Sequence, residues 1–478
     1  MPIEADAWIG AQRHLLDREL RTTARRLARA PAPDSQRLIR ALLGPSPEKE
    51  DAVEATMAAR LDAMLPPVRL TDLLEEVDRW TGFTALFGHV QTGRPPADRR
   101  AFLAALIAEA TNLGLARMAR VCAAASRKQL VWTATWHMRE ETFALALARL
   151  VEAQDKTPLA AVFGTGTASS SDGQHFFLGG PGEASGTVNP HRGREPGITL
   201  YTHVNDRYAP FHVKVIAATA GEAAHVLDGL LGTAAGRRVH VHHTDGGGVS
   251  DHVFGLCALL GYDFVPRIPN LDDRRFYAFE PRARYGRLAP LLGERLDADL
   301  IRDQWGELRR LATSLRAGTV SASLILRRLG AYPRQNALAA GLREVGRVAR
   351  TLFTLRWIAD PELRRMANAE LNKGEARNTL ARAVCIHRLG RFRDRSLENQ
   401  AGRASALNLV TAAVVLWNTV YLGRAIEILR ARGEPIGADD LAGLSPLGWE
   451  HVNITGDYVW EEQPRLDHDG FRPLVMPA

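Results

Sequence analysis

From residue 7 to residue 153 the apolar positions recur at three- and four-residue spacing, as in Leu103, Leu106, Ile107 and Ala110, or Phe143, Leu145, Ala146 and Leu150. That period predicts helices buried on one side. Proline and glycine at 31–33, 44–47, 65–67 and 93–96 cut the block into several short helices. The texture changes at Leu159: Gly164, Gly166, the run Ser169, Ser170, Ser171 and then Phe176 and Phe177 read as loop and strand, followed by a glycine-rich connection at 179–186. Runs 198–203 and 211–217 predict two hairpin strands with a slightly long turn. A helix over 220–231 follows, with Thr219 as N-cap, then a strand at 239–243, a sharp turn at Gly246, Gly247 and Gly248, and a helix from Ser250 to Gly261 capped by Ser250. A further strand is expected at 264–268. Residues 270–347 return to helical periodicity, and Asp360 as N-cap with Pro361 at the first position opens a long helix expected to reach Arg388. Strands alternating with helices describe an α/β core with a mixed sheet, set in helical surroundings.

Composition narrows the class. A chain of 478 residues with 46% hydrophobic residues can build a large core, in about three compact units at ~100–200 residues each. With 61 basic against 54 acidic residues the net charge is +7, which excludes an acidic or disordered chain. Cys122, Cys257 and Cys385 lie far apart, which excludes a disulfide framework and a cysteine zinc site and fits a reducing cytoplasm. Residues 1–20 have no apolar run of the signal-peptide kind, and the stretch 407–429 is interrupted by Asn408, Asn418, Arg424 and Glu427, so it reads as a buried helix. Positive charge is almost wholly arginine, and residues 341–403 concentrate 14 Lys/Arg against 7 Asp/Glu.

Three acids carry the candidate chemistry. Asp172, in Ser171-Asp172-Gly173-Gln174, sits on or beside the first strand, although an Asp-Gly pair is more often a turn. Strand alternation puts Val239, Val241, His243 and Asp245 on one face and His240 and His242 on the other, so Asp245 emerges at the strand end before three glycines. Asp251 ranks second there, as a helix-dipole acid. Glu375 lies on the long basic helix, on a polar face with Asn372, Asn378 and Thr379, where an ion pair with Lys373 or Arg377 is the plainer reading. Three carboxylates suit two Mg²⁺ ions ~3.5–4 Å apart acting on a phosphodiester. The competing reading is a metallohydrolase using His240, His242, His243, Asp245 and His252, which strand geometry disfavours. Gly164-Thr165-Gly166 and the 246–248 glycines complete no nucleotide-binding motif. Trp305 among Leu308 and Leu311, and Trp132 with Trp136, read as packing residues; the alternative for Trp305 is stacking on an unpaired base.

The blocks Ser171-Asp172-Gly173-Gln174, His243 to Leu256, 371–380, Arg403 to Val410, Leu416 to Leu422, Leu444 to His451 and Thr455 to Tyr458, in one order from about Pro66 to the end, resemble the replicative DDE transposases of the Tn-three family of class II transposons. The resemblance implies an RNase H-like mixed-sheet catalytic core with a helical insertion, embedded in mostly helical flanking regions. It implies Asp172, Asp245 and Glu375 as catalytic and metal-binding residues, with Glu398 in reserve as the third acid, and Mg²⁺ as cofactor, two ions, replaceable by Mn²⁺. The implied reaction is metal-dependent cleavage at the transposon ends and attack of the freed 3′-hydroxyl on target DNA, giving a cointegrate. The implied partners are the terminal inverted repeats and target DNA, in a homo-oligomer assembled on DNA in the bacterial cytoplasm. Phosphate contacts are assigned to Arg364, Arg365, Lys373, Arg377, Arg382, Arg388, Arg391 and Arg393. The expected division is a helical N-terminal remnant (1–65), a helical domain (66–158), the core strands and helices (159–270), the insertion (271–347), the catalytic and basic helices (348–430) and a tail (431–478). Family members carry a longer N-terminal region, so a truncated product is expected; the alternative is a catalytically incompetent DNA-binding or interfering protein.

Overall fold

The computed structural model describes residues 4–29, 53–179, 188–191, 193–268, 271, 274–331, 336–392, 396–441, 443–456 and 458–476. The breaks expected at 31–33 and 44–47, nearly all of the 179–186 connection, Asn270 and Arg393 lie outside the described residues.

A five-stranded mixed sheet positions the site. Its strands are β1 (Ala168–Phe177), β2 (Gly197–Asn205), β3 (Pro210–Ala217), β4 (Val241–Thr244) and β5 (Asp263–Phe264), in the spatial order β3-β2-β1-β4-β5. β1, β2 and β3 pair antiparallel, and β4 and β5 are added parallel to β1. The predicted hairpin is therefore present, one or two residues longer at its turn, which Tyr208 makes with φ of 69°. One face of the sheet carries Phe176, Ile198 and Leu200 into a core shared with the flanking helices. The other carries Ser169, Ser171, Tyr201 and His203, a polar layer inside a second core.

Helix α1 (Ala5–Arg29) packs against Arg282–Leu291 and α5 (Ala298–Arg316), with the Trp8 and Trp305 rings 5.1 Å apart. Trp305 is thus a core residue, as expected, and the N-terminal helix belongs with the insertion rather than with 66–158. Trp132 departs from its expectation: it is 48% exposed and lies beside His89. Helices α2 (Leu70–Thr81) and α3 (Glu140–Asp155) surround the longest helix, α8 (Leu397–Ala431). By length and composition α8 passes for a membrane span, but 89% of its most apolar stretch is buried inside the protein. Its Asn418 donates to the carbonyls of Pro446 and Gly448 at 2.9 and 2.7 Å, which satisfies a polar group in the core. The C-terminal segment packs back on the molecule: Val452–Asn453 pairs with Val68–Arg69, and Arg472 donates to Glu76 of α2.

Three elements differ from expectation. The 220–231 helix begins only at Val226, because Gly221 is extended (φ −67°, ψ 129°) and Glu222–His225 forms a 3-10 turn, so Thr219 stands outside the helix. The insertion is not all helical. Phe276–Ala278 and Leu292–Arg295 pair as a two-stranded sheet, and the run between them, broken by Gly286 (φ 50°) and Pro290, cannot continue an α-helix. Helix α7 (Pro361–Val384) starts as expected on the Asp360 cap but ends four residues before Arg388, where Arg388, Leu389 and Gly390 take left-handed backbone. The Ser250 cap of α4 (Asp251–Leu260) and the helix α6 (Ala337–Ala359) complete the scaffold around β4 and β5.

Candidate metal centre

Parallel pairing matches Ser170 with His243 and Ser171 with Thr244, so the next positions along the two strands, Asp172 and Asp245, are neighbours on one face. Each is oriented by its own backbone. Asp172 Oδ1 accepts from Gly173 N at 2.8 Å, and Asp245 Oδ1 accepts from Gly247 N at 2.8 Å while capping the 246–248 turn. Helix α7 covers the same face: Asn378 Nδ2 donates to Asp172 Oδ2 at 2.8 Å, and Gln174 Nε2 donates to Asn378 O at 2.7 Å.

The third acid of the group was not foreseen. Carboxylate oxygens of Asp172, Asp245 and Glu222 lie within 4.8 Å of one another, and among the described residues no other cluster of acids, histidines or cysteines gathers this way. Glu222 opens the 3-10 turn after β3, inside a segment whose apolar spacing reads as helix, and no local signal marks it. Glu375 is exposed on α7 and stands outside this group, and Glu398 lies in the first turn of α8 beside Glu140 and Glu141, away from it.

Beneath the acids the polar layer is closed. Ser171 Oγ lies 2.7 Å from Tyr201 Oη and 2.9 Å from His242 Nε2, and Ser169 Oγ lies 2.8 Å from His242 Nδ1. Burial pushes the Tyr201 phenol far above its ordinary value; the Ser171 hydrogen bond opposes this, and the charges of Glu222, Asp172 and Asp245 add to it. Burial likewise drives His242 well down, so it is a neutral packing group. His243 Nδ1 is 3.1 Å from Val265 O and His252 Nε2 is 3.1 Å from Ala339 O. Among the described residues no histidine joins a cluster that could hold a metal, which overturns the histidine metal site as a reading. Asp251 pairs with Arg350 at 2.7 Å. Three carboxylates with no sulfur or imidazole among them are the donor set of a hard divalent ion, so the residues present fit Mg²⁺ or Mn²⁺.

The family described as the Tn3 transposase DDE domain matches residues 72–458. The chain belongs to this family. Relatives include the transposase for transposon Tn501 of Pseudomonas aeruginosa, 47% identical over 99% of this chain and 48% of the relative. The transposase for Tn21 of Escherichia coli is 50% identical over 89% of this chain and 44% of the relative, and that for Tn4556 of Streptomyces fradiae 33% identical over 99% and 53%. The chain therefore spans about half the length of the curated relatives it matches.

In this Tn3 transposase domain the cations chosen for DNA divide sharply. Arg377 is fully buried, donating to Asn408 Oδ1 at 2.6 Å and to Asn378 Oδ1 at 3.2 Å; burial lowers it to about 9, and the Asp172 charge opposes that fall. Lys373 donates to the carbonyls of Phe163 and Asp206 and to Glu370, and Arg364 donates to Trp357 O at 2.6 Å. These three hold the fold and are withdrawn as phosphate contacts, because their donors are consumed inside. Arg365 and Arg382 are exposed, Arg388 is half-buried against Leu113 O, and Arg391 pairs with Glu195 at the surface. Arg393 lies outside the described residues.

Proposed function

We propose that this chain carries the catalytic part of a replicative transposase, with an RNase H-like core that cuts transposon ends and joins the freed 3′-hydroxyl to target DNA. The observation that carries the reading is the Asp172–Asp245 pair, set side by side on parallel strands in a chain of the Tn3 transposase family. A central strand bearing the first acid, with a parallel neighbour ending at the second, supports the RNase H-like assignment.

Glu375 is the third acid in this reading, and helix geometry supports it. Along α7 Gly374 faces Ser170, Asn378 faces Asp172, and Arg377 reaches Thr202 on the β2 side. At about 100° per residue, Glu375 turns to the flank opposite Arg377, which is the side of β4 and Asp245. It overlooks the pair from solvent, where DNA enters. A divalent ion bound by these carboxylates supplies the positive charge that makes water a nucleophile near neutral pH and stabilises the leaving oxygen. The protein's own part is placement: Gly173 N, Gly247 N and Asn378 fix the carboxylates, and the neutral layer of Ser171, Tyr201 and His242 keeps them from collapsing into the core. Arg365, Arg382, Arg388 and Arg391 are the phosphate contacts, with DNA, in a homo-oligomer assembled on transposon ends in the bacterial cytoplasm, as the partner.

The test is nicking of a duplex carrying a relative's transposon end, with Mg²⁺ or Mn²⁺. Asp172→Asn, Asp245→Asn and Glu375→Gln should each abolish cleavage and leave DNA binding nearly unchanged. Wild-type cleavage retained by all three sinks the proposal. DNA binding by the wild type with no metal-dependent nicking favours a non-catalytic DNA-binding protein instead.

A further inference from the structure

Glu222 reaches the two aspartates from the wrong side of the sheet. Alternation along β1 turns Asp172 and Gln174 toward α7, and Ser171 and Gly173 toward the opposite face, with Tyr201 and Thr199 of β2 beside them. On that face Gly173 has no side chain, and the Glu222 carboxylate fills the vacancy. A Cβ at position 173 would overlap Glu222 Oε1, with Glu222 Cδ 2.7 Å and Thr199 Cγ2 2.9 Å away. On its other side Glu222 Oε2 lies 3.4 Å from where a Cβ of Gly247 would stand. The missing Cβ of Gly173 in β1 thus leaves a slot through the sheet, the Glu222 carboxylate fills it, and the Gly246–Gly248 turn that follows Asp245 lies in van der Waals contact beyond it.

We propose that Glu222 is a fourth acidic ligand of the metal centre, entering from the face opposite the helix that carries Glu375. The proposal rests on the reading of Asp172 and Asp245 as metal ligands. Three carboxylates this close repel one another, and a divalent ion between them turns that repulsion into attraction. Acids supplied from both faces would let Glu222 and Glu375 add carboxylate ligands to those of Asp172 and Asp245 when divalent ions bind. Glu222 is anchored by a turn that packs on Gly246–Gly248, so it is in place before DNA arrives. Glu375, exposed on its helix, completes the set from the DNA side.

The test is Mn²⁺ binding by the full chain without DNA, read by electron paramagnetic resonance of free Mn²⁺, with thermal melting as the control for folding. Glu222→Gln, which keeps the shape, should weaken Mn²⁺ affinity at least tenfold and leave the metal-free melting temperature equal or higher. Gly173→Ala should weaken it similarly although every acid is retained, because it closes the slot. Glu222→Gln binding Mn²⁺ within twofold of wild type, while Asp172→Asn loses it, overturns the fourth ligand and leaves the function standing. Loss with Glu222→Gln but none with Asp172→Asn overturns the reading of Asp172 instead. A wild type that shows no saturable binding at millimolar Mn²⁺ refutes both.

Discussion

Arg377 gives the sharpest test of how charge is used here. It lies in the most basic stretch of the sequence and reads there as a DNA contact, yet its guanidinium is buried between β2, α7 and α8. The perturbation is Arg377→Ala. Burial, partly opposed by the Asp172 charge, brings its ordinary 12.5 down to about 9, so holding it charged costs about 5 kcal/mol, at 1.36 kcal/mol for each tenfold change in proton affinity. Against that stand hydrogen bonds to Asn408, Asn378 and Thr202 at 2.6, 3.2 and 3.4 Å, worth about 1.5–3 kcal/mol each for a charged donor when well formed. Deleting the side chain also strands those acceptors and leaves a cavity, adding about 2–3 kcal/mol. The relief of the buried charge offsets part of the loss, and the net expected destabilisation is about 2–7 kcal/mol.

The assay has two arms. Urea unfolding should move its midpoint down in Arg377→Ala, with the slope unchanged. The salt dependence of binding to a DNA duplex should keep its wild-type slope, because no phosphate contact is lost. In Arg365→Ala and Arg382→Ala the arms reverse: stability within about 0.5 kcal/mol of wild type and a salt slope smaller by about one ion per contact removed. Unchanged stability together with a reduced salt slope in Arg377→Ala would refute the argument, since it would place the guanidinium on DNA.

The remaining predictions concern the two cores. Burial lowers His203 from 6.5 to about 4, His212 to about 3 and His243 to about 4. A base lowered on folding contributes stability that is complete above 6.5 and is lost as pH falls toward the folded value, so the melting temperature should drop steadily from pH 7 to pH 4. His212→Asn should flatten that drop; a flat wild-type profile contradicts the burial argument. Glu76 accepts from Trp417 Nε1 and Tyr421 Oη at 2.9 Å each and from Arg472 Nε at 2.5 Å. Glu76→Gln should therefore destabilise by about 2–4 kcal/mol in urea titrations, and Arg472→Ala, which leaves the carboxylate buried without its cation, by about as much. Equal stability of wild type and both variants would mean that this network only fills space.

What the sequence made legible followed from local periodicity. The hairpin, the Ser250 cap, the Asp360-Pro361 start of α7 and the face shared by His243 and Asp245 all rest on spacings of a few residues, and all are present. The basic stretch misled because charge counts carry no depth. Arg364, Lys373 and Arg377 are spaced along α7 so that each meets a different buried carbonyl or amide, on α6, in the turn after β2 and on α8, and only the packed fold reveals those acceptors. Glu222 was invisible for the opposite reason. Its neighbours Ala220, Ala223 and Ala224 continue a helical rhythm, and the feature that gives it meaning lies on β1, as a side chain that is not there. Gly173 next to Asp172 reads locally as a turn. In the structure it sits well inside a ten-residue strand, where glycine weakens the strand and no turn requires it. A glycine that is unfavourable where it stands and admits a carboxylate to two others is accounted for by the proposed metal centre, so the vacancy belongs to that proposal as much as the acids around it do.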